Sequence, residues 1–167
     1  MNTPPPVFHR RHLTVAANGI ERTLQTLLRS VNPLATEALL VALESSDAAL
    51  RVGAVRALAM RDDPIGHRGL VERYPHLPAD ARAAIIDVPR RAPLAETLPT
   101  MIRANTPKLA RRAAELAVAW SATPTLPAII EATQWPASDL TKAFADAALS
   151  LARLLEERVR EHEPARR

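Results

Sequence analysis

The chain has 167 residues, enough for one domain with a real core, and 47% of them are apolar although only 3% are aromatic. The apolar mass is Ala, Leu, Val and Ile, and four glycines are too few for a run of tight β-turns, so packed helices are favoured over a sheet sandwich. There is no cysteine, which excludes a disulfide framework and thiolate or Cys-ligated metal chemistry.

No apolar run approaches the ~20 residues needed to cross a bilayer, and the first residues lack the apolar stretch of a secretory signal. A bacterial, cytoplasmic protein without membrane contact is the expectation. The net charge is +4, with Arg outnumbering Lys twenty to two. A basic balance suits nucleic acid or another acidic partner. Here 18 acids are interspersed among the bases, and Arg, Ala and Pro are enriched together, as a GC-rich coding sequence would make them. Coding bias is therefore the preferred account of the charge.

Residues 1–14 hold Pro4, Pro5 and Pro6 and then His9, Arg10, Arg11 and His12 without any period, and read as a flexible or extended arm. A basic tail touching phosphates is the alternative. Residues 15–161 are periodic, and 162–167 form a charged tail. The first helix is expected from Val15, with Ile20, Leu24, Leu27 and Leu28 on its apolar face. Pro33 opens a second, carrying Leu34, Leu39, Leu40, Val41 and Leu43. A third spans 46–60, with Leu50, Ala54, Ala57 and Leu58 at i, i+4, i+7 and i+8 and Ser46 or Asp47 as its cap.

Asp62, Asp63 and Pro64 stop that helix and start a fourth with Ile65, Leu70, Val71 and Tyr74. Further helices open at Pro78 (Ala81, Ile85, Val88), Pro93 (Leu94, Leu98, Met101, Ile102), Pro107 (Leu109, Ala110, Ala114, Ala117, Val118) and Pro124 (Leu126, Ile129, Ile130). The ninth follows Pro136, is capped by Ser138 and runs through Phe144, Leu149, Leu155 and Val159 to about 161. Proline suits the first helical position, which needs no N–H partner and a φ near −65°. Pro99 and Pro127 lie deeper and are expected to kink their helices or delay the start.

The odd helices repeat one pattern. A charged position steps 21, 51, 82, 111, 142, followed by small or apolar residues such as Ala54, Ile85, Ala114 and Ala145. The even helices share an apolar doublet: Leu40-Val41, Leu70-Val71, Met101-Ile102 and Ile129-Ile130. Two even helices are near copies, 97–104 and 125–132. A period of ~30 with two helices per unit predicts an all-α solenoid, in which no helix pair buries its apolar face alone and stacking makes the core continuous. Ala54 and Ala114 are expected to be fully buried at the helix crossings.

Ser46-Asp47, Leu50-Arg51, Ala54, Ala57-Leu58 and the following Asp62-Asp63-Pro64 resemble the HEAT-repeat pattern. The ~30-residue unit is similar to the short HEAT-like variant named after phycobilisome lyases. The resemblance is close over 46–74 and 106–131 and weaker over 20–44 and 78–105, and the last unit lacks its second helix. It implies an α-α superhelix, right-handed, of about 4.5 helix-hairpin repeats. It also implies a scaffold that binds proteins, or in some relatives nucleic acid, on a concave face lined by the second helices.

The cations Arg51, Arg82, Arg111 and Lys142, led by Glu21, form a ladder that could follow phosphates. In HEAT-like repeats an Arg at this place often pairs with an acid between repeats, and Asp47, Asp80 and Asp139 stand ready, so a structural role is preferred. The residues after the doublets, Ala42, Glu72, Arg103 and Glu131, alternate in sign, which argues against a uniformly basic groove. His9, His12, His67, His76 and His162 form no metal motif, and the His-Glu ligand pairs of HEAT-like iron hydroxylases are absent. Trp120 and Trp135 could stack on a base, as in HEAT-like DNA glycosylases, but filling gaps between repeats is the preferred role.

No catalytic residue, metal or cofactor is expected. The leading expectation is a non-enzymatic scaffold or adaptor for a protein partner. A nucleic-acid-binding or base-repair relative and a lyase-type accessory subunit are the alternatives. The binding face is expected at His67, Arg68, Glu72, Glu96, Arg103 and Glu131, pointing away from the core. In the C-terminal helix Leu151, Leu154, Leu155 and Val159 are expected to lie partly exposed and to serve self-association or partner docking.

Overall fold

The fold is taken from a computed structural model that describes residues 9–104, 106–134 and 138–162, with side chains placed for 19–104, 106–134 and 140–161. The chain is all-α: α1 (His9–Arg29), α2 (Pro33–Ala42), α3 (Ala48–Met60), α4 (Pro64–Arg73), α5 (Ala79–Ala84), α6 (Pro93–Arg103), α7 (Pro107–Ala119), α8 (Leu126–Ala132) and α9 (Ser138–His162). Short 3-10 turns lie at Tyr74–His76, Ile85–Asp87 and Thr123–Thr125, and no strand occurs among the described residues.

Local chemistry sets most helix starts. Asn32 accepts from the Leu34 amide, Asp47 from Ala49 and Leu50, and Asp63 from Ile65 and Gly66. Each satisfies backbone donors left open in a first turn. Asp47 is therefore the cap of α3, with its own amide donating to Ser45 Oγ at 3.1 Å. α2, α4, α6 and α7 all begin on the expected proline.

Three boundaries differ from expectation. α1 begins at His9, well before Val15. The fifth helix is only six residues long and tightens into a 3-10 turn before Val88. Val88 precedes Pro89, and a residue before proline is pushed out of the helical region; its ψ is 132°. The eighth helix starts at Leu126, because Pro124 sits in a 3-10 turn and Pro127 occupies the first α-helical turn. The expected Ser138 cap and Trp135 lie outside the described side chains.

Most helices pack on a neighbour in sequence or on the next but one, while α5 packs on α3. α1, α3 and α5 form one run of contacts, α2, α4, α6 and α8 a second, and α7 packs on α9. α6 and α7 reach back to α4, and α6 also touches α3. Leu39, Leu58, Leu70, Ile85, Leu98 and Ile129 are fully buried in the shared core, and Ala54 and Ala114 are buried as expected. At Gly53 a β-carbon would lie 2.1 Å from Leu24 Cδ1, so the missing side chain lets α1 seat on α3.

The doublets do not behave alike. Both members are buried in Leu70-Val71 and Met101-Ile102, whereas Val41 and Ile130 are exposed. Consecutive helical residues point about 100° apart, so both are covered only where neighbours flank the helix on two sides. α4 and α6 have an even helix on each side, while α2 and α8 have one.

Candidate functional site

The even helices present a face of paired charges and bare aliphatics. On α4, Arg68 Nε donates to Glu72 Oε1 one turn away at 2.9 Å. From the last turn of α6, Arg103 sends a two-pronged bond to Glu131 on α8, Nε to Oε2 at 2.6 Å and Nη2 to Oε1 at 3.1 Å. This fork holds the Glu131 carboxyl below the usual carboxylate range and raises the Arg103 guanidinium. Glu96, in the first turn of α6, is exposed and without an ion pair among the described residues. The even helices also carry Leu34, Val41, Ile65 and Ile130, each more than half exposed.

His67, expected on that surface, is instead fully buried. It shares the face of α4 with Leu70 and Val71, and covering both of those covers the imidazole as well. Its Nδ1 lies 2.9 Å from the Thr97 hydroxyl on α6, and its Nε2 has no hydrogen-bond partner.

A polar cluster surrounds the α3–α4 turn. Arg61, 8% exposed, closes α3 and donates through Nη1 to the Leu27, Leu28 and Ser30 carbonyls, which end α1. Beside it Asp63 accepts from the Thr36 hydroxyl on α2 while capping α4. Burial pushes the Asp63 carboxyl up, but the Thr36 bond, the Gly66 and Ile65 amides and the Arg61 charge outweigh it and leave it lowered. A cleft of about 540 Å³ opens here, lined among others by Val31, Pro33, Glu37, Asp62 and Ile65. Among the described residues no three His, Cys, Asp or Glu side chains gather as a metal site requires.

The odd-helix ladder divides. Arg51 bridges from α3 to Asp80 on α5 at 2.5 Å and to the Ser45 carbonyl at 2.7 Å, the expected tie between repeats. The Arg51 bond lowers the Asp80 carboxyl. Arg111 pairs within α7, to Glu115 at 2.9 Å, and Arg82 and Lys142 are exposed. Trp120 is fully buried, with Nε1 donating to the Val88 carbonyl at 2.9 Å and the Arg90 guanidinium 5.7 Å above its ring. The ring is enclosed in the core and is not open for a base to stack on.

At the C-terminal helix, Leu155 is 42% and Val159 57% exposed, as expected, and Leu149 joins them at 58%. Leu154 is half-buried against the core, and Leu151, expected to be partly exposed, is fully buried. α9 packs on α7 and α8, and the burial of Leu151 shows that it is covered past its midpoint. Its end also comes near Arg90, whose guanidinium is lowered by burial and by the charge of Arg158. No helix among the described residues is long and apolar enough to cross a membrane.

Several structural residues carry no signal in the repeat pattern. Arg61 and Arg112 are two arginines among twenty, and Thr36 and Thr97 look like ordinary helix-surface threonines. Only their partners, distant in sequence, single them out. Asp63 could be read as a cap, but not as the acceptor for Thr36.

No family model and no curated protein matches the chain. A crystal structure of an engineered protein from the Northeast Structural Genomics Consortium is similar over 85% of this chain and 83% of that one, with 17% identity and a TM-score of 0.32. A likeness that distant carries no argument about fold or function.

Proposed function

We propose that this protein is a non-enzymatic scaffold that binds a protein partner along α2, α4, α6 and α8. In this reading the helices wind as a HEAT-like superhelix of about 4.5 helix-hairpin repeats, and the even helices line its concave side. One observation carries the reading. Arg68 and Arg103 spend their charge on the neighbouring glutamates Glu72 and Glu131, while Leu34, Val41, Ile65 and Ile130 on the even helices stand bare.

A phosphate backbone needs cations left free to displace its counterions, and binding then weakens steeply with salt. A mixed, self-neutralised surface with exposed aliphatics suits another protein, where complementary charge sets orientation and apolar contact supplies affinity. The nucleic-acid and lyase-accessory readings lack such an observation.

The test uses the full chain as immobilised bait, with the Arg68→Glu/Arg103→Glu variant beside it, and a gel shift on random-sequence duplex DNA across a salt series. A stoichiometric protein retained by the native chain and lost by the variant, with unchanged circular dichroism, is the expected outcome. Equal retention by both would remove this face, and a salt-sensitive DNA shift would replace the reading.

A further inference from the structure

The cleft at the α3–α4 turn joins aliphatic walls to charges that have no partner. Leu28, Val31, Pro33 and Ile65 line it, and Val31 and Ile65 are 99% and 75% exposed. Its volume of about 540 Å³ falls in the range of sites that hold a ligand.

Three carboxylates and two guanidiniums line the same cleft, which leaves one negative charge over. Asp63 is spent on the Thr36 hydroxyl and the first amides of α4. Arg61 is spent through Nη1 on the carbonyls that end α1. Glu37, Asp62 and Arg29 are exposed, and among the described residues their side chains take part in no ion pair or hydrogen bond. Two free carboxylates therefore stand against one free guanidinium.

The even helices show the same excess. Their arginines Arg68, Arg73 and Arg103 are all paired, with Glu72, Glu44 and Glu131. The charges left over on α2, α4, α6 and α8 are Glu37 and Glu96, both acids. Arg61 adds a demand for an acceptor. It is 8% exposed, its Nε is buried without a hydrogen bond at 3.9 Å from Asp63 Oδ2, and none runs from its Nη2. A phosphate or carboxylate brought to these donors would lie beside three like charges. A neutral carbonyl, the group that Arg61 Nη1 already binds, meets no such repulsion.

We propose that this cleft anchors a basic, aliphatic peptide segment of the protein partner. A lysine or arginine of the segment pairs with Glu37 and Asp62, an aliphatic neighbour packs on Val31 and Ile65, and a backbone carbonyl accepts from Arg61. The proposal rests on the reading of the even helices as a protein-binding face and gives that face its partner chemistry. The net charge of +4 attracts an acidic partner at long range, so the preference of the cleft is opposite in sign to that of the whole chain.

Fluorescence anisotropy on the full chain tests this with three labelled peptides of equal length, alternating lysine with leucine, glutamate with leucine, and lysine with serine. The lysine–leucine peptide is expected to bind most tightly. Glu37→Gln/Asp62→Asn should weaken it about tenfold, the worth of two exposed ion pairs. Ile65→Ser should weaken it as well, each variant with unchanged circular dichroism, and the Val31 and Ile65 methyl resonances should shift on titration. A preference for the glutamate–leucine peptide, equal binding by the double variant, or methyl shifts confined to other residues would each overturn the anchor. If these peptides fail while a partner is retained by the native chain and lost by Arg68→Glu/Arg103→Glu, the anchor falls and the scaffold reading stands. Peptide binding that meets every expectation on a chain that retains no such partner upholds the anchor and removes the scaffold reading.

Discussion

The Trp120 indole donates a 2.9 Å hydrogen bond to the Val88 carbonyl, 32 residues earlier in the chain. Val88 is forced out of helical geometry by Pro89, so its carbonyl has no place in a helix ladder, and the ring from α7 satisfies it. Trp120→Phe keeps most of the ring but leaves that buried carbonyl without its donor. The expected loss is about 1–3 kcal/mol in urea unfolding. An unchanged midpoint would show that the bond is replaced by Arg90, whose Nη1 already sits 3.5 Å from the same oxygen.

Arg61 closes the C-terminal end of α1 from the end of α3, and no other side chain reaches those three carbonyls among the described residues. Arg61→Met retains the aliphatic stem and removes the donors. It should destabilise the chain by roughly 1–3 kcal/mol, a hydrogen bond to a charged group being worth more than a neutral one. Arg61→Lys should recover only part of the loss, because a single ammonium cannot reproduce the planar fork.

Ala54 is fully buried where α3 crosses its neighbours. Ala54→Leu should overpack that crossing and lower stability by about 1–3 kcal/mol. A thermal midpoint equal to that of the native chain would contradict the register in which α3 seats on the core.

The lowered Asp63 carboxyl predicts an acid limb with a definite sign. Its folded value lies below the ordinary 3.8, so its contribution is present above 3.8 and is lost as the pH falls through the lower folded value. Asp63→Asn still offers an oxygen to the Ile65 and Gly66 amides but does not titrate. Chemical unfolding from pH 6 to pH 2 should show a shallower acid decline for the variant than for the native chain; parallel curves would assign the acid limb to other carboxylates.

Leu155 and Val159, one turn apart, leave an exposed apolar strip on the outer half of α9, with Leu149 exposed before it, and an apolar surface of this kind commonly marks an interface. Light scattering on the full chain is expected to report a species heavier than one chain, and Leu155→Glu/Val159→Glu should reduce it to a monomer with the helical spectrum intact. Leu151→Glu is the wrong probe, because Leu151 is buried and its change should unfold the protein. A native chain that is monomeric at every concentration would show that the stripe is not a contact between copies.

Much of the helix content was already legible in the chain. A proline or an Asx cap acts through the backbone of its own first turn, so Pro33, Pro64, Pro93, Pro107, Asp47 and Asp63 mark helix starts without knowledge of any neighbour. The spacing of Leu50, Ala54, Ala57 and Leu58 likewise defines one face of α3 by helical geometry alone. A tie from Arg51 to an acid was implied by the resemblance to HEAT-like repeats, with Asp47, Asp80 and Asp139 as the candidates, and a filling role for Trp120 by its place at a helix end just before a loop.

Burial at the second apolar or polar position of a helix could not be read that way, because it depends on how many neighbours flank the helix. His67 and Val41 both lie on even helices; His67 was expected on the surface and Val41 in the apolar doublet that faces the core, and the structure reverses both. α4 is covered from two sides and hides His67 against Thr97, whereas α2 is covered from one side and leaves Val41 in solvent. Leu151 and Leu155, one turn apart on α9, differ in the same way, the first fully buried and the second exposed. Local sequence thus sets where each helix begins and which residues share a face. The number of neighbours around each helix, a property of the assembled chain, decides which of those faces is left for function.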